Sequence, residues 1–218
     1  MTRLVLVRHG ESHANVQGIF AGVRTCAGLS PAGVAQVEAL CDRLSTSGEL
    51  AGASALVSSD VPRALGTARL VAPALGDPEI VVDPGWAELD AGEAEGMTWN
   101  ELCAAFGAPD LRSRPAHPIA PGGESWVAMR ERVRAAVRRV LGEHAGETVV
   151  VATHAGAVEA VVLDALGLCD TSVRIGLRAH NASLTECAEA GDDRLHLVTF
   201  NDRSHAVTGP AVRARGPA

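Results

Sequence analysis

Short apolar runs alternate with helix-period segments along this chain, and that alternation narrows the fold more than any other feature. Leu4-Val5-Leu6-Val7 is unbroken by a polar residue, and Val149-Val150-Val151-Ala152 repeats the pattern. Strands that read this way are buried on both faces, as in a parallel sheet covered by helices. Ala53–Ser58 and Glu79–Val82 complete a set of four. Between them, Ser30-Pro31 reads as an N-cap followed by proline at the first helical position. Val34, Val37, Cys41 and Leu44 then carry a helix over roughly 31–45. A second helix starts at Asp60-Val61-Pro62 and runs to about 74, and a short one covers 98–106.

The longest helix follows Gly122-Gly123 and ends at Gly146. Trp126, Met129, Val133, Val137 and Val140 share its apolar face by i, i+3, i+4 spacing, which makes Trp126 a core residue. Arg130, Arg132, Arg134, Arg138 and Arg139 fall largely away from that face and read as a solvated surface. Another helix runs from His154 to about Leu166. Two last strands, 182–187 and 195–200, are joined by a turn at 189–193, which sets the final strand antiparallel to its neighbour.

Strands and helices in this order predict an α/β fold, a three-layer αβα sandwich. Its central sheet is mostly parallel, with one antiparallel strand. Residues 1–204 read as one domain, and 205–218, rich in Gly, Pro, Ala and Arg, as a loose tail. Right-handed crossovers place all the parallel strand ends on one side. Strand one ends at Arg8-His9-Gly10, strand two leads to Arg63, strand three to Glu88 and strand four to His154. Two arginines, two histidines and one carboxylate are therefore predicted to meet at one sheet edge, where open α/β sheets bind ligands.

Composition excludes several chemistries. All 19 Lys-plus-Arg cations are Arg, and there is no Tyr. A P-loop lysine, a Schiff-base lysine and a tyrosine nucleophile are thus unavailable. The net charge of −7 argues against a nucleic-acid or anionic-membrane surface. No apolar run approaches the roughly 18 residues of a membrane span. Cys26, Cys41, Cys103, Cys169 and Cys187 show no metal-site spacing; an odd count without a signal-peptide pattern reads as reduced thiols in a cytoplasmic protein. No metal and no cofactor are expected.

Two guanidiniums that stay charged suit a dianionic phosphoryl group. With no metal motif or P-loop, the attacking group is expected to be His9, as a neutral imidazole that forms a phosphohistidine. Its other ring nitrogen would be held by a backbone carbonyl. Arg8, Arg63 and His154 would stabilise the equatorial oxygens, and Glu88 would protonate the leaving oxygen, then take a proton from water. His13 and His117 read as loop residues, and His144, His180, His196 and His205 as structural or surface ones.

These residues resemble the histidine phosphatase superfamily, also called phosphoglycerate mutase-like. Arg8-His9-Gly10-Glu11-Ser12 with Asn15 is similar to the family's opening motif. The likeness continues at Ser58–Ala64, at Glu88 with Gly92, Glu95 and Gly96, at Pro121–Ser125, at Thr153–Gly156 and at Asn181–Leu184. The motifs keep the family's order over about residues 3–200. The resemblance implies a phosphoglycerate mutase-like fold and a metal-independent phosphomonoesterase acting on a small phosphorylated metabolite. It implies His9 as nucleophile, a phosphate pocket of Arg8, Arg63 and His154, and Glu88 as proton donor. It adds Asn15 and the backbone of Ala155 as phosphate contacts.

A mutase or bisphosphatase in the same fold is the alternative, and a phosphate pocket serving binding or a non-hydrolytic reaction is a further one. The brevity of the 107–123 excursion and Pro-Gly-Gly-Glu-Ser favour the phosphatase branch. The stretch 22–33 departs from the family pattern by lacking its Asp and Pro, though Leu29-Ser30 and Gly33 remain; Arg24 within it is expected to be solvated. An edge strand near 195–200 is a candidate for pairing across a two-fold in a homodimer.

Overall fold

The computed structural model describes residues 1–191 and 194–206. Its strands are β1 (Arg3–Arg8), β2 (Ala55–Ser58), β3 (Ile80–Val82), β4 (Thr148–Thr153), β5 (Leu184–Gly191) and β6 (Arg194–Asp202). They form one sheet in the order β3-β2-β4-β1-β5-β6. Parallel pairing joins β1 to β4, β4 to β2 and β2 to β3. Only β5 runs against its neighbours, β1 on one side and β6 on the other. The expected turn at 189–193 is shorter than read, because β5 continues to Gly191 and β6 starts at Arg194. Asp192, Asp193 and the expected tail beyond residue 206 lie outside the described residues.

Six helices accompany the sheet: α1 (His13–Gln17), α2 (Pro31–Ser47), α3 (Pro62–Val71), α4 (Trp99–Phe106), α5 (Trp126–Glu143) and α6 (Ala155–Ala165). The Ser30 hydroxyl accepts the Gly33 N–H, capping α2 as its sequence predicts. The helix expected to reach 74 stops at Val71 and tightens into a 3₁₀ turn over Ala72–Leu75. Pro73 has no N–H for an i−4 bond, so the α ladder cannot continue through it.

Successive strand residues face opposite layers. Leu4, Leu6, Val149 and Val151 pack with Met129, Val133 and Val137 of α5 and Val158 and Val161 of α6. Val5, Val7, Val150 and Ala152 pack with Val37, Leu40 and Leu44 of α2 and Ala68 and Val71 of α3. The sheet is thus the middle of three layers. No helix among the described residues is long and apolar enough to cross a membrane.

Of the five arginines of α5, Arg138 and Arg139 are exposed as expected, but Arg130, Arg132 and Arg134 are not part of a solvated face. Arg130 is 1% exposed; it pairs with Asp164 and donates to the carbonyls of Leu168, Asp170 and Val173. Arg134 joins Asp164 and the Cys169 carbonyl. Arg132 pairs with Glu124 and donates to the carbonyls of Gly85 and Ala87. The cause is α5's position beneath two irregular segments whose carbonyls have no ladder partner. A guanidinium offers five donors to such groups. Arg24 is solvated as expected, and it also pairs with Glu95 at 2.7 Å. Glu95 also accepts the N–H groups of Gly22 and Thr25, so the 22–25 stretch folds around one carboxylate.

Candidate active site

Register brings the two histidines together. Arg8 of β1 stands beside Thr153 of β4, so His9 and His154 leave adjacent strands at the same level. Their ring centroids are 5.1 Å apart, and both are buried. The His9–Gly10 segment is gripped from three sides. The His9 N–H donates to the Thr153 carbonyl at 2.9 Å, and Asn181 Nδ2 donates to the His9 carbonyl at 3.0 Å. The Gly10 N–H donates to Thr67 Oγ1 at 3.1 Å. Gly10 also lies so close to α2 that an added Cβ would sit 2.7 Å from the Val37 side chain. Only a residue without Cβ permits that approach.

Two partners settle the His9 tautomer. Nδ1 lies 2.7 Å from the Gly10 carbonyl, which can only accept, so Nδ1 carries the proton. Nε2 then holds the lone pair, and Arg63 Nε donates to it at 3.0 Å. Burial, with the Arg63 and Arg8 charges behind it, holds the ring well below the usual histidine pKa. His9 is therefore a neutral imidazole with its Nε2 lone pair facing the Arg63 guanidinium. Arg63 is anchored by the Ala21 carbonyl at 2.7 Å, and Arg8 by the Ala179 carbonyl at 2.6 Å. Arg8 Nε is buried without a hydrogen-bond partner.

His154 is set by Ser59, whose hydroxyl lies 2.9 Å from Nε2. That hydroxyl accepts the Val61 N–H at 3.2 Å. In the tautomer in which the Ser59 proton goes to Nε2, Nδ1 bears the ring hydrogen, and Nδ1 is buried with no partner. Burial first, then the nearby Arg63, keeps this ring neutral too. An N–H donor is left for an anion.

Glu88 sits against the first turn of α6. The Gly156 N–H donates to one carboxylate oxygen at 3.2 Å and the Leu89 N–H to the other at 3.0 Å. A Cβ on Gly156 would overlap the Glu88 carboxylate. Glu88 thus occupies space that only glycine leaves open. Asn15 is exposed at the rim; its Oδ1 accepts the Ser12 N–H at 3.0 Å, closing a capping box on α1. Ala155 is the first residue of α6, where backbone N–H groups have no helical acceptor.

Arg8, His9, Asn15, Arg63, Glu88 and Ala155 all line one cavity of about 1500 Å³. Every site residue expected from the sequence is therefore drawn to one place, with His154 packed beneath. His13 and His117 are not part of the cavity wall. Sequence reading missed Ser59, Thr67, Gly156 and Asn181 as functional positions. Ser59, Gly156 and Asn181 stood inside motifs, but only coordinates show what they touch.

Such a fold and site define an enzyme that handles phosphoryl groups on a histidine. The chain belongs to the histidine phosphatase superfamily (branch 1), whose description it matches over residues 4–203. It is 33% identical over 168 residues to a metal-independent phosphoserine phosphatase of Arabidopsis thaliana, covering 75% of this chain and 68% of that protein. It is 32% identical to a putative phosphoserine phosphatase 2 of Hydrogenobacter thermophilus, across 94% of this chain and 98% of that one. The mycobacterial glucosyl-3-phosphoglycerate phosphatase solved with VO3 superposes with a TM-score of 0.74 at 29% identity, covering 91% and 98% of the two chains. A bifunctional Mycobacterium tuberculosis protein is longer: at 34% identity, this chain spans about half of it, 53%. Family and relatives together make this chain a phosphoric monoester hydrolase of the histidine phosphatase type.

Proposed function

We propose that the cavity hydrolyses a small phosphomonoester in two steps through His9. The observation that carries this reading is the tautomer of His9, with Nδ1–H on the Gly10 carbonyl and the Nε2 lone pair beside Arg63. In the first step Nε2 attacks phosphorus, and the bond from phosphorus to the ester oxygen breaks. That oxygen leaves with the electron pair and takes a proton from Glu88. Arg8, Arg63 and the Nδ1–H of His154 turn to the equatorial oxygens as charge builds on them. Asn15 and the backbone N–H of Ala155 add neutral donors.

In the second step water attacks the phosphohistidine and gives a proton to Glu88. The P–N bond breaks and returns the pair to Nε2, releasing phosphate. Protons pass only among Glu88, water and the leaving alcohol, so no step calls for a metal. Residues 1–204 act as one catalytic unit in this scheme, since Asn181 near the end of the chain holds His9 near its start. The five free thiols fit a reducing, cytoplasmic setting. The phosphoserine and glucosyl-3-phosphoglycerate names among relatives support a small metabolite as substrate.

The test is phosphate release from a panel of phosphomonoesters in EDTA, by wild type and His9→Ala, with acid quench to trap labelled phosphoenzyme. Release and an acid-labile label in wild type, both lost in His9→Ala, are expected. Isomerised product without free phosphate would indicate a mutase instead.

A further inference from the structure

Glu88 brings its carboxylate to α6 from a segment that is neither strand nor α-helix. β3 ends at Val82 and α4 begins at Trp99, with short 3₁₀ turns between them. Backbone groups in such a segment have no ladder partners, so its position must be fixed from elsewhere. Helix α5 supplies the fixing. Arg139 Nη2 donates to the two carboxylate oxygens of Asp83 at 3.0 and 2.8 Å, and Asp83 Oδ1 accepts the Gly85 N–H at 2.7 Å. Arg132 stands two turns earlier on the same face of α5. Its Nη1 donates to the carbonyls of Pro84, Gly85 and Ala87 at 3.3, 3.0 and 3.1 Å, and its Nη2 to the Glu88 carbonyl at 3.4 Å.

Arg132 is itself aimed by Glu124. Nε donates to Oε1 at 3.0 Å and Nη2 to Oε2 at 2.6 Å, a two-pronged pairing that fixes the guanidinium plane. The Glu124 N–H in turn donates to the Asp90 carbonyl at 2.9 Å. Glu124 therefore grips the chain after Glu88 with its backbone, and the chain before it through Arg132. The two loops meet closely here, since a Cβ on Gly92 would overlap the Gly123 nitrogen. All three guanidinium nitrogens of Arg132 already donate within this chain, which suits it to holding backbone and not to holding a ligand.

We propose that the Arg132–Glu124 pair is a positioning brace for Glu88, setting where its carboxylate meets the leaving oxygen. Neither residue touches the reacting atoms. The proposal rests on the phosphatase reading, in which Glu88 is the proton donor, and adds what places that donor. Arg132 is also one of the charges that push the His154 pKa down. That influence reaches the phosphoryl pocket and falls on every ester alike. An effect carried through Glu88 instead depends on how much protonation the leaving oxygen needs.

The experiment compares two esters in wild type, Arg132→Gln and Arg132→Lys: p-nitrophenyl phosphate, and the alkyl phosphate that wild type hydrolyses fastest. On the alkyl ester Arg132→Gln should lower kcat by about 10²-fold with KM little changed, the scale of a misplaced catalytic group. On p-nitrophenyl phosphate the loss should stay within about threefold, because that leaving group needs little acid. Arg132→Lys keeps the charge but not the fork, and should restore part of the alkyl-ester rate. Added to Glu88→Gln, Arg132→Gln should cost little more, since both act through one carboxylate. Each ester ratio is taken within one preparation, so loss of folded protein does not imitate it. In protein carrying ¹³C-labelled glutamate, the Glu88 carboxyl signal, identified by its absence in Glu88→Gln, should shift in Arg132→Gln. Equal losses on the two esters, a loss confined to KM, multiplying losses in the double variant, or an unmoved Glu88 signal would overturn the brace. Failure of wild type to release phosphate would sink the hydrolase reading, and the Glu88 signal would still decide whether Arg132 places that side chain.

Discussion

Arg63 Nε points at His9 Nε2 from 3.0 Å, so the guanidinium rests on the very lone pair assigned to attack phosphorus. The contact keeps the imidazole in one tautomer and places a cation where a phosphoryl oxygen must come. Arg63→Ala should therefore lower kcat by about 10²–10³, as for removal of one transition-state donor. His9→Ala should lose more, since no nucleophile remains. Steady-state phosphate release on one substrate for both variants checks the order. Equal rates for Arg63→Ala and wild type would exclude the assignment.

Glu88 shares its space with Gly156. Glu88→Gln removes the proton donor and should cost about 10²–10⁴ in kcat. Gly156→Ala should approach that loss with the carboxylate intact, because the methyl group displaces it. An activated ester such as p-nitrophenyl phosphate, whose leaving group needs little protonation, should suffer much less in Glu88→Gln. A uniform loss across leaving groups would assign Glu88 another role.

Ser59 contacts His154 Nε2 at 2.9 Å, and in the proposed mechanism it acts by positioning that ring. Ser59→Ala should reduce kcat roughly fivefold to tenfold, matching about 1 kcal/mol for a hydrogen bond. The more specific readout is the ring itself: ¹⁵N shifts of His154 should show the two tautomers mixing once Ser59 is gone. An unchanged tautomer would remove Ser59 from the mechanism.

The two buried histidines give stability a pH dependence of definite sign. Both have folded-state values well below the ordinary 6.5. Protons then bind the unfolded chain more readily, so stability is full above about 6.5 and falls as pH drops toward the folded values. Each ring contributes a slope of about 1.4 kcal/mol per pH unit in that window. Thermal melts from pH 7.5 to 5.5 should show Tm falling, and His154→Asn should remove roughly half of the slope. A flat Tm across that range would mean that the rings are not held neutral.

Arg130 should be worth more to stability than any other arginine of α5. It is buried against Asp164 and three carbonyls. Arg130→Ala leaves three carbonyls without their donor, while Asp164 keeps Arg134, and should cost about 3 kcal/mol. Arg138→Ala serves as the control, expected within about 0.5 kcal/mol of wild type. Urea denaturation of both variants separates the two values; equal midpoints would refute the contrast.

The sheet and its catalytic edge were legible because they rest on period and order. Leu4–Val7 and Val149–Ala152 could only be buried strands, and parallel strands send His9, Arg63, Glu88 and His154 to the same side. The register that sets His9 beside His154 was not legible, since pairing partners are tertiary facts. Arg130, Arg132 and Arg134 were misread for a related reason. Helical spacing says which way Arg130 points but not that a loop of unpartnered carbonyls will lie over it.

The place of β1 in the sheet bears on how the protein is made. Leu4 pairs with Val149 on one side and with Cys187 on the other. During synthesis β1 therefore has neither neighbour until β4, and later β5, have been translated. At about 5–20 residues per second, that is a wait on the order of ten seconds. For that interval an apolar ribbon with two open edges must be kept from pairing with other chains. The Asn181 side chain that holds the His9 carbonyl also arrives late, so a nascent chain stalled before that point lacks a contact that fixes the backbone at His9.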